Sequence, residues 1–569
     1  MLWDIAVSVA VAAPLVSNGA CAAYQAGVIA DEARGHRPVV AGRIAPDFPV
    51  LVPGQARRPI PLRLAAANER TLFVLGGSEL IVVDAREDVR PRVLDRRGLP
   101  GTAVGLFMHG EQLVVVANVR FDGVDGGPPS PMNGVVVLRY ALPASGMPVE
   151  VRRDHVAGTL VNLWRTEDHL TLVLDGTLQP HEVLRPAVAD TAKAAIARSA
   201  RAAGVVAYRT TTPAGEQRGF VAPCRTLLHE PGASGAGLVT LVSLDLAHPD
   251  AAPVGAGLVG RAWDLALTED GVYAMKVDPT GDTMGSTSKL YRFRHDPAAG
   301  TLQFVAAGDL GPDVKMFPTW IDARDGVAAV AGMSDAGDGP VTTLRALQDD
   351  GRGALKELGR SELSRNGWTT IHRAGSFLVV YDGSGVRVID PKVPGATVGR
   401  LDLENIVALE FPSAERWAAV THDATGVRVH GIDARIPNAL SLVGTALLPG
   451  ETQSPRERGL GPYEGKFASW RGVWAVPAGN DLWFVSAKFN APIAVLGRLS
   501  HAELAHEACY AEHGAEMCDG PSNKLGSYLQ SATVRDAVLI EGAWWTVSTY
   551  GVRVSERGSP LRVVAQLWF

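Results

Sequence analysis

The chain has 569 residues, 46% hydrophobic and 20% charged, which supplies ample apolar material for a packed core and excludes a disordered chain. Its formal charge of −6 is small for this length, and no basic run exceeds the Arg pairs at 57–58, 96–97 and 152–153, so nucleic acid is not an expected partner. Gly (62) and Pro (37) are abundant enough for an all-β fold with many tight turns.

In chain order, residues 1–23 read as a signal peptide or lipoprotein leader. Residues 5–16 form an apolar run of secretory length, too short to span a bilayer, although Asp4 stands where a Lys or Arg is customary. Ala20-Cys21-Ala22 allows either A-x-A cleavage or lipid attachment at Cys21. The expected location is extracytoplasmic: periplasm, cell surface or secreted. Residues 24–60 are a Pro-rich connector or edge strand, and the strand pattern runs from 61 to 569.

The most regular stretch is 69–86, ERTLFVLGGSELIVVDAR, two apolar strands around a Gly-Gly-Ser turn. It returns at 375–390 (GSFLVVYDGSGVRVID), 415–433 (ERWAAVTHDATGVRVHGID) and 543–555 (AWWTVSTYGVRVS). A recurring unit that cannot bury both faces alone marks a repeat architecture. It is read here as the inner hairpin of a β-propeller blade. Further hairpins follow at 111–118 with 133–140, at His169 with resumption at 237, at 270–278 with 289–296, at 325–333, and at Trp474 with Leu482. Nine candidate hairpins result. Because nine-bladed rings are rare, the expectation is a single eight-bladed propeller, with seven or nine as alternatives. The last strand, 561–568, is expected to lie against the first blade and close the ring. One short helical insertion is expected, at 186–204, where PAVADTAKAAIARSARAAG is Ala-rich and ends on Gly.

The segments 237–254 (GLVTLVSLDLAHPDAAPV), with Cys224 upstream, 531–554 (SATVRDAVLIEGAWWTVSTYGVRV) and the opening repeat resemble secreted bacterial and archaeal proteins whose C-terminal β-propeller is distantly related to WD40 repeats. The resemblance spans about residues 66–567. It implies export and a propeller fold, and no activity, cofactor or catalytic residue. The Trp-Asp blade endings of true WD40 repeats are missing, as are the sialidase Asp-box, the Kelch pattern and the Trp-docking repeats of quinoprotein propellers.

Several loops between second and third strands are enlarged and acidic. Asp122 and Asp125, Asp278 and Asp282, and Asp335 and Asp338 are oxygen donors of the kind Ca²⁺ accepts, while the plain alternative is turn formation by Asp and Gly. Residues 501–526 form a Cys-containing insertion in which helical spacing would place His506, Cys509 or Tyr510, and His513 on one face, a pattern open to a transition metal. The favoured alternative is a Cys509–Cys518 disulfide closing a short polar loop, with Cys21 and Cys224 bonded to each other or left single. There is no Gly-x-Ser-x-Gly elbow, no His-Glu-x-x-His and no P-loop. Trp470, Trp474, Trp483, Trp544 and Trp545 either line a groove or pack between blades.

The leading expectation is an exported, non-enzymatic propeller binding a protein, peptide or glycan through its loop-rich rim. The alternatives are a metal-dependent hydrolase or lyase on the same scaffold and a structural subunit of a cell-surface assembly.

Overall fold

The computed structural model describes residues 65–569 other than 88–89, 122–131, 144–146, 167, 176–203, 230–237, 260–262, 269, 279–286, 312–315, 336–339, 365–368, 383, 450–467, 479–480, 489–490, 520–523 and 533. The leader, the connector 24–60, Cys21 and nearly all of the expected helix 186–204 lie outside the described residues. Among the described residues, strands gather into nine sheets, each built around a four-stranded antiparallel meander, and the sheets are the blades of one propeller. In chain order they span 65–98, 102–157, 159–259, 263–311, 316–364, 370–402, 406–447, 468–500 and 536–568, numbered blades 1 to 9.

The count is nine, within the seven to nine read from the sequence, although eight was favoured. Each of the nine hairpins read from the sequence forms its own sheet, including the one split between His169–Asp175 and Leu238–Asp245, which pair directly in blade 3. A correction concerns position within the blade. The repeated hairpin is the middle pair of strands, the second and third, and not the inner pair: in blade 1 it is Thr71–Gly76 with Glu79–Asp84.

The reason lies in how the blades pack. Successive side chains on a strand point to opposite faces. In blade 1, Phe73, Leu75, Leu80 and Val82 enter a cluster shared with blade 2, while Leu72, Val74, Ile81 and Val83 enter one shared with blade 9. A middle strand is therefore buried on both faces and reads as a continuous apolar run. The outer strand Arg92–Gly98 is largely half-buried or exposed, and carries charge. Among the described residues there are nine such clusters, one at each interface around the ring.

Among the described residues, closure exchanges no strand between the first and last blades. Ser559–Trp568 pairs only with Gly551–Glu556 as the outer strand of blade 9. It reaches the first blade through side chains, Val564, Ala565 and Leu567 packing on the cluster that joins blades 9 and 1. The Ala65 amide adds a bond to Asp536 Oδ2 on the inner strand of blade 9.

The insertion within blade 3 supports its neighbour. The hairpin Gly204–Thr212 with Gly215–Pro223 pairs with Val149–Ala157 and widens blade 2 to six strands, and Leu227–Leu228 adds a parallel edge to Val254–Val259. Arg139, Arg152 and Asp154 are buried under this extension. Arg152 makes a charge-assisted contact of 2.8 Å with Asp154, whose Oδ1 also accepts the Thr210 hydroxyl at 2.7 Å.

In an antiparallel meander the turn between strands two and three and the passage from strand four to the next blade emerge on one face of the ring. The ends of the second strands of blades 2 to 5 and the segment between blades 8 and 9 therefore share that face, here called the loop face.

Candidate functional site

The best-defined feature of the loop face is the connection from blade 8 to blade 9. Its described residues fold as three helices, α1 (Ala502–His513), α2 (Ala515–Asp519) and α3 (Lys524–Ser531). The sequence favours this: α1 is rich in Ala and Glu, Glu503 sits in its first turn where the helix dipole welcomes an anion, and Gly514 at φ +75° ends it. Ser500 Oγ accepts the Ala502 amide at 3.2 Å, because the ring of the N-cap residue His501 is engaged elsewhere.

That engagement joins the insertion to blade 9. His501 is fully buried, with Nδ1 2.8 Å from Ser548 Oγ and Nε2 2.9 Å from Thr546 Oγ1. Thr546 donates its own proton to the Arg553 carbonyl, so it accepts from His Nε2–H, leaving Nδ1 to accept from Ser548. Burial, with a smaller contribution from Arg553, pushes the His501 pKa down to about 3, and the ring is neutral.

The partner positions explain why the insertion docks there. Blades 6, 7 and 9 share the sequence Gly-Val-Arg-Val on the third strand, at 385–388, 426–429 and 551–554. In blade 6, Asp382 caps the preceding turn through Ser384 and pairs with Arg387 at 3.1 Å. In blade 7, Asp423 caps through Thr425 and pairs with Arg428 at 2.5 Å, the Thr425 bonds holding its carboxyl down to about 2. The equivalent position in blade 9 is Ser548. Arg553, nearly buried, finds its carboxylate in Glu503 of α1 and a further acceptor in Gln566 Oε1 at 3.2 Å. The insertion supplies the charge that the turn lacks.

The other expected site residues fall as follows. Cys509 and Cys518 form the disulfide, both buried, with Cα atoms 6.1 Å apart. His506 meets the Tyr510 ring edge-on at 5.9 Å, and His513 meets Tyr528 at 5.7 Å. The hydroxyl of Tyr528 bonds Glu512, which pushes its pKa up to about 12, and its ring stacks on Tyr550 of the blade 9 turn at 5.4 Å. Tyr510 donates to Asp519 Oδ2 at 2.7 Å. Each His is thus matched with an aromatic partner, and among the described residues no three His, Cys, Asp or Glu side chains are grouped to hold a metal.

Asp278 and Asp335 end the second strands of blades 4 and 5. Their side chains, and Asp122, Asp125, Asp282 and Asp338 altogether, lie outside the described residues. Cys224 begins a short 3-10 turn, Cys224–Thr226. Trp474 and Trp483 are buried between blades 7 and 8, Trp544 against Phe484 between blades 8 and 9, and Trp545 between blades 9 and 1, so these four pack blades. A small cleft beside the blade 6 turn is lined by Asp382, Ser384, Gly385, Arg387 and Arg400.

Sequence reasoning overlooked α2, α3 and the anchors His501, Glu503 and Arg553. The signal for the anchors was present: a third Gly-Val-Arg-Val preceded by Ser where the other two have Asp.

The protein is an all-β, single propeller with a helical insertion on its loop face. Residues 64–315, less than half of the chain, match the family described as Beta propeller domain. The chain is similar to Chaetomium thermophilum Sqt1 (13% identity, 58% of this chain and 79% of that one, TM-score 0.33). It is also similar to Pseudomonas aeruginosa periplasmic gluconolactonase PpgL (14%, 58% and 91%, 0.32) and Citrobacter koseri AztD (10%, 88% and 94%, 0.34). At these identities and scores the likenesses carry nothing about activity. No curated protein matches the chain. Among the described residues no helix is long and apolar enough to cross a membrane.

Proposed function

We propose that this protein is an exported, non-enzymatic binding module that takes a protein, peptide or glycan on its loop face, with the helical insertion as the principal recognition element. The observation that carries the reading is the construction of residues 501–531. The insertion is stapled by Cys509–Cys518, anchored through His501 and Glu503, and still presents Tyr510 and Met517 at 39% and 43% exposure on the face that carries the long loops. Aromatic and Met side chains carried on a stapled backbone lose little freedom when a partner covers them, which suits them to recognition. The disulfide supports an oxidising compartment.

The test is to probe the full chain against peptide and glycan arrays, beside a variant in which 504–531 is replaced by a Gly/Ser linker, leaving His501 and Glu503 in place. Retention of a ligand that the variant loses is the expected result. Ligands retained equally by both, or none at all, would refute the reading. Stoichiometric metal in the purified protein, with a lower melting temperature in EDTA, would favour a metal-dependent hydrolase or lyase instead.

A further inference from the structure

The charge and shape of the stapled helices narrow the partner. From 501 to 523 the sequence carries five carboxylates, at 503, 507, 512, 516 and 519, and no Lys or Arg. Of these, Glu503 is neutralised by Arg553. Within this acidic segment stand the exposed Tyr510 and Met517. The disulfide fixes the backbone beside both, since Tyr510 directly follows Cys509 and Met517 directly precedes Cys518. Tyr510 is held further by its bond to Asp519 Oδ2 and by the edge-on contact with His506, so its ring loses little freedom when a partner covers it. Glu507 lies one helical turn before Tyr510 on the same side of α1.

Building on the binding reading above, we propose that the α1–α2 surface docks a cationic, amphipathic peptide segment of a partner protein. Apolar side chains of that segment seat on Tyr510 and Met517, and its Lys or Arg side chains meet the exposed Asp519, with the half-buried Glu507 adding to the negative field. Aromatic and Met anchors supply the contact energy, while the opposite charge selects the partner and speeds its approach.

The probe is a fluorescently labelled 12-residue peptide of alternating Lys and Leu, with Lys/Gly and Glu/Leu peptides of the same length, titrated by anisotropy with the full chain. The wild type should bind the Lys/Leu peptide at least about tenfold more tightly than either control, and less tightly as salt rises. The double variant Tyr510→Ser, Met517→Ser keeps the charge and should lose about tenfold in affinity with an unchanged melting temperature. Equal binding by the double variant would assign the interaction to charge alone and overturn the proposal, as would equal binding of the Glu/Leu peptide. If no peptide binds while an array ligand still depends on 504–531, the partner class fails and the binding reading stands; if no array ligand binds either, both fail.

Discussion

Lowering the pH from 7.5 to 4.5 should weaken the ring steeply, before its ordinary carboxylates take up protons. His501 and His430 are buried and neutral, each bonded by both ring nitrogens to hydroxyls, His430 to Thr421 and Thr445. Burial pushes their pKa values down from 6.5 to about 3 and about 4. An unfolded chain protonates each imidazole as the pH falls through 6.5, and the folded chain does so only near the lower value. The stability these groups contribute is therefore complete above 6.5 and falls by about 1.4 kcal/mol per pH unit for each of them below it. From 6.5 to 4.5 the two together cost about 5 kcal/mol, comparable with the whole stability of many domains. His295 and His372, also held near 4 by burial, act in the same direction. Asp423 works in a separate window: its stabilisation is present above the ordinary carboxylate range and is lost only as the pH falls toward its folded value of about 2. Guanidinium denaturation at pH 7.5, 6.5, 5.5 and 4.5 measures the slope. At least two protons should be taken up on unfolding near pH 5, and a His430→Gln, His501→Gln double variant should take up about two fewer. A flat profile between 6.5 and 4.5, or the same slope in the double variant, would refute the reasoning.

Three further outcomes follow from named contacts. Glu503→Gln removes the carboxylate charge opposite the nearly buried Arg553 while keeping an amide oxygen as acceptor, and should cost about 1–2 kcal/mol in chemical denaturation. Reducing the Cys509–Cys518 bond, or replacing both residues by Ser, should cost about 2–3 kcal/mol and increase protease cleavage within 509–518, read by mass spectrometry of the fragments. Gly399→Ala would place a methyl group 1.9 Å from the Pro437 carbonyl oxygen, forcing the outer parts of blades 6 and 7 apart at a cost of about 3 kcal/mol, the upper end for overpacking. Gly77→Ala, with open space around it and only a φ of +64° to oppose it, should cost about 1–2 kcal/mol, so a melting-temperature loss at 399 no larger than that at 77 would contradict the packing described.

What could be read from the sequence follows the burial of each strand. Middle strands such as Phe377–Tyr381 and Arg416–Asp423 are mostly buried and announce themselves as apolar runs, so all nine blades were visible as hairpins. The rarity of nine-bladed rings argued for eight. Nothing in the physics of a single blade decides how many follow, since each interface needs only its two neighbours. Edge strands were less legible: Ala65–Ala67 is three residues long, and Ser441–Leu447 shows both faces partly to solvent. The disulfide was read correctly from a short Cys spacing. Of the helices around it only α1 was weighed, as one alternative, because it buries only Leu504, Ala505 and Cys509 and carries His and Glu on the remainder, which gives little apolar periodicity to detect.

The two tasks of the turn aspartate clarify what the insertion is for. In blades 6 and 7 one carboxylate both closes the turn and neutralises the strand Arg. In blade 9 the tasks are divided between Ser548, which bonds His501, and Glu503, which meets Arg553. The insertion is therefore part of the blade that closes the ring on blade 1, and complete excision would leave a nearly buried guanidinium and two buried hydroxyls without these partners. Loss of binding after such an excision would be uninterpretable, because the ring itself would be weakened. Keeping His501 and Glu503 while removing 504–531, or changing only Tyr510 and Met517, separates recognition from closure: melting temperature reports on the anchors, and ligand retention reports on the exposed surface they hold in place.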